Sequence, residues 1–237
     1  MVVEPGGSGL DVEAINDRLA LEHPSDEYYA RAPWPIRLVE KRRLAIVRSF
    51  VGEAEGEEVA EIGSGGGHVL RMFPRAHLTA IDVSDVYLDQ ARQNLAGYDV
   101  TFVKGEVDKM DLPDASFDRI ICTEVLEHVT DPDAILRTIA RLLRPAGVAA
   151  ITVPNDPLIL RIKRVVKRPP MRWLLGKVEW GGDEYHLHRW TPREFEDLLS
   201  GHLRVRERRF APSRVLPLRS CFRCVAKRRG AADFVVR

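Results

Sequence analysis

At 237 residues the chain has room for one domain carrying a modest lid. Its 45% hydrophobic and 30% charged composition is that of an ordinary soluble globular protein, and a formal charge of +1 excludes a global field drawing it to nucleic acid or membrane. Three cysteines make no disulfide framework and suggest a reducing compartment, no apolar run has bilayer length, and the first ten residues lack a signal-peptide pattern, so the expected location is the cytoplasm.

Residues 1–35 read as a flexible or helical cap, with Gly6-Gly7-Ser8-Gly9 near its start. A helix is predicted over 36–51, where Ile36, Val39, Leu44, Val47 and Val51 recur among Lys41, Arg42, Arg43 and Arg48. Strands and helices then alternate: strand 58–62, a helix starting at 68–73, strand 78–81, helix 87–94, strand 100–103, strand 117–122. Asp131-Pro132-Asp133 signals the start of a helix with an apolar stripe of Ile135, Leu136, Ile139, Leu142 and Leu143; Pro145-Ala146-Gly147 stops it before a strand over 148–153. Past a basic segment, Thr191-Pro192 starts another helix, and strands 203–210 and 220–227 follow, leaving 228–237 as a tail. Cys221-Phe222-Arg223-Cys224 has CxxC spacing, but it stands without a second pair inside the last strand, where a buried structural role outweighs a zinc half-site.

Strands alternating with helices imply βαβ units and an α/β doubly wound, Rossmann-like, mostly parallel sheet with an antiparallel last strand. Ligands in such sheets bind beyond the carboxyl ends of the strands, a rim that here collects Gly63 to Gly67, Asp82, Lys104 to Val107 and Thr123 to His128. Glycines at 63, 65 and 67 suit a turn with positive φ and close backbone approach to a ligand, and Asp82 could accept hydrogen bonds from a ribose diol. A nicotinamide fingerprint would need glycine where His68 stands.

Glu61-Ile62-Gly63-Ser64-Gly65-Gly66-Gly67, followed by Asp82, Glu106-Val107 and Leu142-Leu143-Arg144-Pro145-Ala146-Gly147, resembles class I S-adenosylmethionine (SAM)-dependent methyltransferases, with a seven-stranded sheet, over 36–227. The resemblance implies SAM as cofactor. It implies that Glu61 organises the turn below the methionine part, that Asp82 with Val83 holds the ribose, and that Glu106 and Val107 bracket the adenine. Thr123 would stand near the methionine moiety. Arg43 matches an arginine facing the SAM carboxylate in the ubiquinone-pathway enzymes, with a solvated surface charge as the alternative.

Thr123-Glu124-Val125-Leu126-Glu127-His128 places two carboxylates and an imidazole at i, i+3 and i+4, which predicts that one helix face presents all three, and His186 and His188 follow in Glu184-Tyr185-His186-Leu187-His188. This pattern is similar to the ubiquinone-pathway O-methyltransferases and to small-RNA 2′-O-methyltransferases, in which such a set holds a divalent cation. The resemblance implies Glu124, Glu127, His128 and His186 as ligands of Mg²⁺ or another divalent ion, with His188 as second choice to His186, and His128, His186 and Glu124 as catalytic groups. Methyl transfer from a sulfonium needs a good nucleophile, and a bound cation or an imidazole base could provide one from a hydroxyl. The alternative is glutamates favoured by a helix N-terminus with no metal.

Residues 154–190 form the expected substrate lid. From 158 to 177 there are seven Lys or Arg and no acid. Leu158, Ile159, Ile162, Val165 and Val166 are expected on one helical face with Arg161, Lys163, Arg164, Lys167 and Arg168 around it, and Met171, Trp173, Leu174 and Leu175 follow. Such a helix can touch an anionic membrane through 158–175, line a pocket for an anionic acceptor, or pack with a solvated face; nucleic acid is the weakest partner. The expected function is methyl transfer to a hydroxyl oxygen of a small or lipid-like acceptor. N- or C-methylation without metal is one alternative, and a SAM-binding interaction protein without turnover is another.

Overall fold

The computed structural model describes residues 32–166 and 185–227, with Asp17 and Arg168. Seven strands, β1 (Glu58–Ile62), β2 (His77–Asp82), β3 (Val100–Lys104), β4 (Phe117–Thr123), β5 (Leu143–Pro154), β6 (Leu203–Pro212) and β7 (Pro217–Ala226), form one sheet in the order β3-β2-β1-β4-β5-β7-β6. The first five are parallel; β7 runs antiparallel to β5, and β6 antiparallel to β7. The chain reverses direction across the sheet between β1 and β4, where Ile62 pairs with Cys122, and this switch point is where an open α/β sheet leaves a crevice.

Both faces of the central strands are covered, so those strands are apolar at successive positions. Ile120 packs in one core with Leu136, Ile139, Phe195 and Phe222; its neighbour Ile121 packs in the other with Val47, Phe50, Leu70 and Cys221. The first core is closed by helices α3 (Pro132–Leu142) and α5 (Pro192–His202), the second by α1 (Trp34–Val51) and α2 (Asp85–Asn94). The starts of these helices follow their capping chemistry. Asp131 accepts from the Ala134 N–H at 2.9 Å, and Thr191 forms a reciprocal capping box with Glu194. Cys221 and Cys224 are both buried with free thiols, and their odd spacing puts them in opposite cores, so they cannot share one metal. Burial pushes both thiols up to about 12.

Three sequence expectations change. The helix expected over 68–73 is one 3₁₀ turn, Leu70–Met72, since Pro74 disfavours helical backbone at Phe73. The segment 124–128 is a turn rather than a helix, entered through Glu124 at φ +56°. In the lid, α4 (Asp156–Val166) forms, but its inward line is Asp156, Ile159 and Lys163, not the expected apolar set. With Ile159 and Lys163 one turn apart against the domain, Val165 rotates outward and is 56% exposed. Of the rest of the basic segment, Lys167, Met171, Trp173, Leu174 and Leu175 lie outside the described residues. Among the described residues no helix is long and apolar enough to cross a membrane.

Phe222 is fully buried on β7 with its ring 5.5 Å from that of Phe195, joining the antiparallel hairpin to α5. Phe222→Ala is expected to lower stability by about 3–5 kcal/mol, the range for a large aromatic removed from a core. Urea unfolding would measure this, and a loss below about 1 kcal/mol would show that the hairpin is not anchored through this ring.

Candidate active site

The turn after β1 is fixed by backbone bonds. The Gly63 and Ser64 N–H groups both donate to the Ile81 carbonyl, at 2.9 and 3.0 Å, and the Asn94 amide donates to the Gly66 carbonyl at 2.9 Å. The three alternate glycines answer different needs. At Gly63, with φ +69°, a Cβ would lie 2.3 Å from the Val125 Cγ2, and at Gly67 one would lie 2.9 Å from the Leu95 Cδ1. At Gly65 a Cβ would meet nothing within 4 Å. Gly63 and Gly67 are therefore packing glycines, and of the three only Gly65 has open space where a Cβ would stand.

Asp82 spans the turns after β1 and β2. Its Oδ2 accepts from the Gly65 N–H at 2.8 Å and its Oδ1 from the Ser84 N–H at 3.0 Å. Burial raises its pKa against these bonds, and the charge of Asp17 adds to the rise. Ser84 caps α2 by accepting from the Tyr87 N–H and donates its hydroxyl to Asp17. Val83 is half-buried beside them. Glu106 is exposed and paired with Lys109 at 2.7 Å, and Val107 is buried; neither these two nor Gly67, Asp82 and Val83 line the cavity described next.

A cavity of about 330 Å³ lies between the glycine turn and the amino-terminal helix. Its floor includes Glu61, where burial pushes the carboxyl well above the usual carboxylate range, Arg43 opposes that rise and Asp82 reinforces it. One wall is a chain of alternating charges. Arg43 Nε donates to Glu40 at 2.8 Å; Arg219 Nε lies 3.8 Å from Glu40 and 2.6 Å from Glu124; the Thr152 hydroxyl donates to Glu124 at 2.9 Å. Arg43 is 3% exposed, so it is no solvated surface charge. Burial would raise the pKa of Glu40, but Arg43 and Arg219 outweigh it and hold it low. Burial likewise works against the charge on Arg219, and Glu124 and Glu40 reverse it.

Glu40 and Arg219 carry no local sequence signal. Glu40 sits in a charged helical run, and Arg219 in a terminal strand that reaches the rim only because β7 runs antiparallel, setting Arg219 opposite Pro154. Thr123 ends β4 on the cavity wall.

The turn after Thr123 separates the expected ligand set. Positive φ costs Glu124 about 1–2 kcal/mol, and it turns the side chain toward Arg219 and Thr152. Glu127, His128 and His186 come together, each offering a ligand atom within 4.8 Å of the others. The Glu127 carbonyl accepts from the Leu187 N–H at 2.8 Å and the His188 N–H at 3.2 Å, which is what brings residues 185–188 here. Among the described residues neither carboxylate oxygen of the buried Glu127 accepts a hydrogen bond, and burial with repulsion from Glu124 drives its pKa well up. His186 Nδ1 meets the buried Asp156 at 2.6 Å, and its ring lies 4.8 Å from that of His128. His188 is structural: Nε2 contacts the Val129 carbonyl at 3.0 Å and the ring stacks on Trp190. His128 is on the cavity wall, and burial with repulsion from His186 lowers its pKa to about 4, so the imidazole is neutral at pH 7. Its Nδ1 faces the Tyr185 carbonyl at 3.3 Å, so the ring is read as the Nδ1–H tautomer with Nε2 as acceptor.

The family model described as a methyltransferase domain matches residues 60–151, from β1 through most of β5. Over these residues the chain is similar to that domain. It is 32% identical over 126 residues to a ubiquinone biosynthesis O-methyltransferase of Alkalilimnicola ehrlichii, covering 51% of each chain. It is 34% identical over 160 residues to the protein of that name from Caulobacter vibrioides, covering 62% of this chain and 63% of that one. The chain thus spans about half the length of several curated relatives it matches. Among solved structures, a chain of the Haloferax volcanii complex between the Trm112 methyltransferase activator and a methyltransferase aligns at TM-score 0.66 and 18% identity, covering 93% of this chain and 99% of that one. A SAM-dependent methyltransferase from Aquifex aeolicus aligns at 0.61 and 19% identity, covering 86% and 98%. These two share the fold.

His128 titrates near 4 when folded and near 6.5 when unfolded. Between those values the unfolded chain binds the extra proton, so stability from this group is present above about 6.5 and is lost as pH falls toward 4, by a few kcal/mol. The raised carboxyls Glu61 and Glu127 act in the opposite sense. Removing the imidazole isolates its share: with chelator present, His128→Gln is expected to lose less stability than wild type between pH 6.5 and 4 by urea unfolding. Parallel pH curves would contradict the buried neutral imidazole.

Proposed function

We propose that this protein is a SAM-dependent methyltransferase acting on a hydroxyl oxygen of a small or lipid-like acceptor. One observation carries the reading: a single cavity wall joins the glycine turn to the neutral imidazole of His128. SAM fits the residues present. Gly65 has open space where a Cβ would stand, Asp82 lies directly behind it as acceptor of its N–H and is the proposed ribose contact, and Arg43 and Glu61 line the part of the cavity suited to an amino-acid end. Glu106 and Val107 are the proposed adenine bracket. Bound SAM supplies a methyl group on a sulfonium. The chain's own work is to orient the acceptor and to remove a proton. His128, with Nε2 as acceptor, and His186, oriented by Asp156, are the groups for the proton. The ubiquinone biosynthesis O-methyltransferases among its relatives support oxygen as the methylated atom.

Glu127, His128 and His186 are the proposed ligands of a divalent cation. The buried carboxylate without a hydrogen-bond donor and the carboxylate-backed histidine both fit that role. A cation held there would lower the pKa of an acceptor hydroxyl, and His128 and His186 would then act as its ligands in place of taking the proton themselves. Mg²⁺, Mn²⁺ and Zn²⁺ all suit mixed oxygen and imidazole donors. The basic lid over 158–175 is the proposed contact for a lipid-like acceptor or a membrane surface.

Asp82→Ala is expected to weaken SAM binding at least about tenfold by calorimetry, since one charge-assisted hydrogen bond accounts for that much. Unchanged affinity would remove the cofactor assignment. For the cation, calorimetric titration of chelator-stripped protein with Mn²⁺ should show one site that Glu127→Gln and His186→Ala abolish. Heat of binding that survives both substitutions would place the metal elsewhere.

A further inference from the structure

The charged wall of the cavity has a composition that matches one end of a ligand. Arg43, Glu40, Arg219 and Glu124 alternate in sign along it, drawn from α1, β7 and the turn after β4. With two guanidiniums and two carboxylates the wall is balanced as it stands, so an isolated anion or cation would upset it. A zwitterion would not: its carboxylate can lie against the guanidiniums while its ammonium lies against the carboxylates. An α-amino acid is such a group. The wall faces Gly63, Ser64, Gly65 and Gly66 across the same cavity, so a ligand on the glycine turn presents one end to it.

We propose that Arg219, together with Arg43, binds the α-carboxylate of the methionine part of SAM, and that Glu40 and Glu124 hold the two guanidiniums in place and receive the ammonium. This rests on the SAM reading above. Arg219 is 23% exposed at its side chain, as a cavity-lining group should be, while its Nε is fixed by Glu124 and its Nη1 donates to the Leu218 carbonyl at 3.3 Å. A planar guanidinium fixed on one edge is preorganised for a carboxylate in a way that a lysine would not be. Glu124 then belongs to the cofactor end of the cavity. Its strained backbone is what turns its carboxylate to Arg219 and away from Glu127 and His128.

The test compares two ligands differing by the amino-acid end. S-adenosylhomocysteine carries it; 5′-methylthioadenosine lacks it. In calorimetric titrations Arg219→Gln should weaken S-adenosylhomocysteine binding roughly 10–100-fold, the range for one charged hydrogen-bonded contact, and leave 5′-methylthioadenosine unchanged. Arg219→Lys, which keeps the charge without the fork, should fall between. Unchanged binding of 5′-methylthioadenosine also reports an intact fold. If Arg219→Gln does not fold, a selective loss of S-adenosylhomocysteine affinity in Arg219→Lys carries the same meaning. Equal losses for both ligands, or no loss for either, would overturn the assignment of Arg219 and leave the SAM reading standing. Wild-type protein that binds neither ligand would overturn both.

Discussion

Gly63 has no room for a side chain because Val125 already occupies that space, a Cβ there falling 2.3 Å from a Val125 methyl. β1 and β4 are parallel neighbours at the switch point, and both end at the same rim. The turn after β4 can therefore lie against the turn after β1 only if one of them is glycine at the contact. With that contact made, Thr123 and Glu124 face the cavity while Glu127 and His128 pass to its edge. The proximity of the glycine cradle to the histidine cluster is a packing consequence of one missing side chain, and it needs no further device.

The charged wall shows how the fold pays for polar groups at that rim. A buried charge without a partner costs several kcal/mol, and partners far apart in sequence can be supplied only by the finished sheet. Glu40 comes from the first described helix and Arg219 from the last strand, and they meet because β7 returns antiparallel beside β5. The antiparallel hairpin thus completes the cavity as well as the sheet, and the strain at Glu124 is tolerable because Thr152 and Arg219 hold its carboxylate.

The sequence made the order of strands and helices legible, because capping residues and apolar period are local. Asp131-Pro132 and Thr191-Pro192 start helices where they stand. The glycine turn and Asp82 were legible for the same reason. The 124–128 segment was not. Its i, i+3, i+4 spacing suits a helix, but the contact at Gly63 and the approaching cap at Asp131 leave room only for a turn. The inward face of α4 was hidden too, because Lys163 is buried there with a partner that periodicity does not register. Arg219 and Asp156 had no signal because their partners are far away in sequence, and the Glu40–Arg43 pair, though local, becomes part of a wall only when Arg219 joins it.

Two kinds of carboxylate share this rim, and they divide it. Glu40 and Glu124 are neutralised by guanidiniums that stay charged at any working pH. Glu127 and Asp156 carry oxygens without a donor among the described residues, beside two imidazoles rather than two guanidiniums. A neutral imidazole can accept a proton or a cation through its free ring nitrogen, whereas a guanidinium cannot. A fixed, charge-balanced wall suits a part of the ligand that only has to be held. A wall of exchangeable protons suits the part where a bond to hydrogen must be broken. The cavity is therefore polarised by chemistry before anything enters it, with paired fixed charges at the Arg219 end and a neutral proton acceptor at the His128 end.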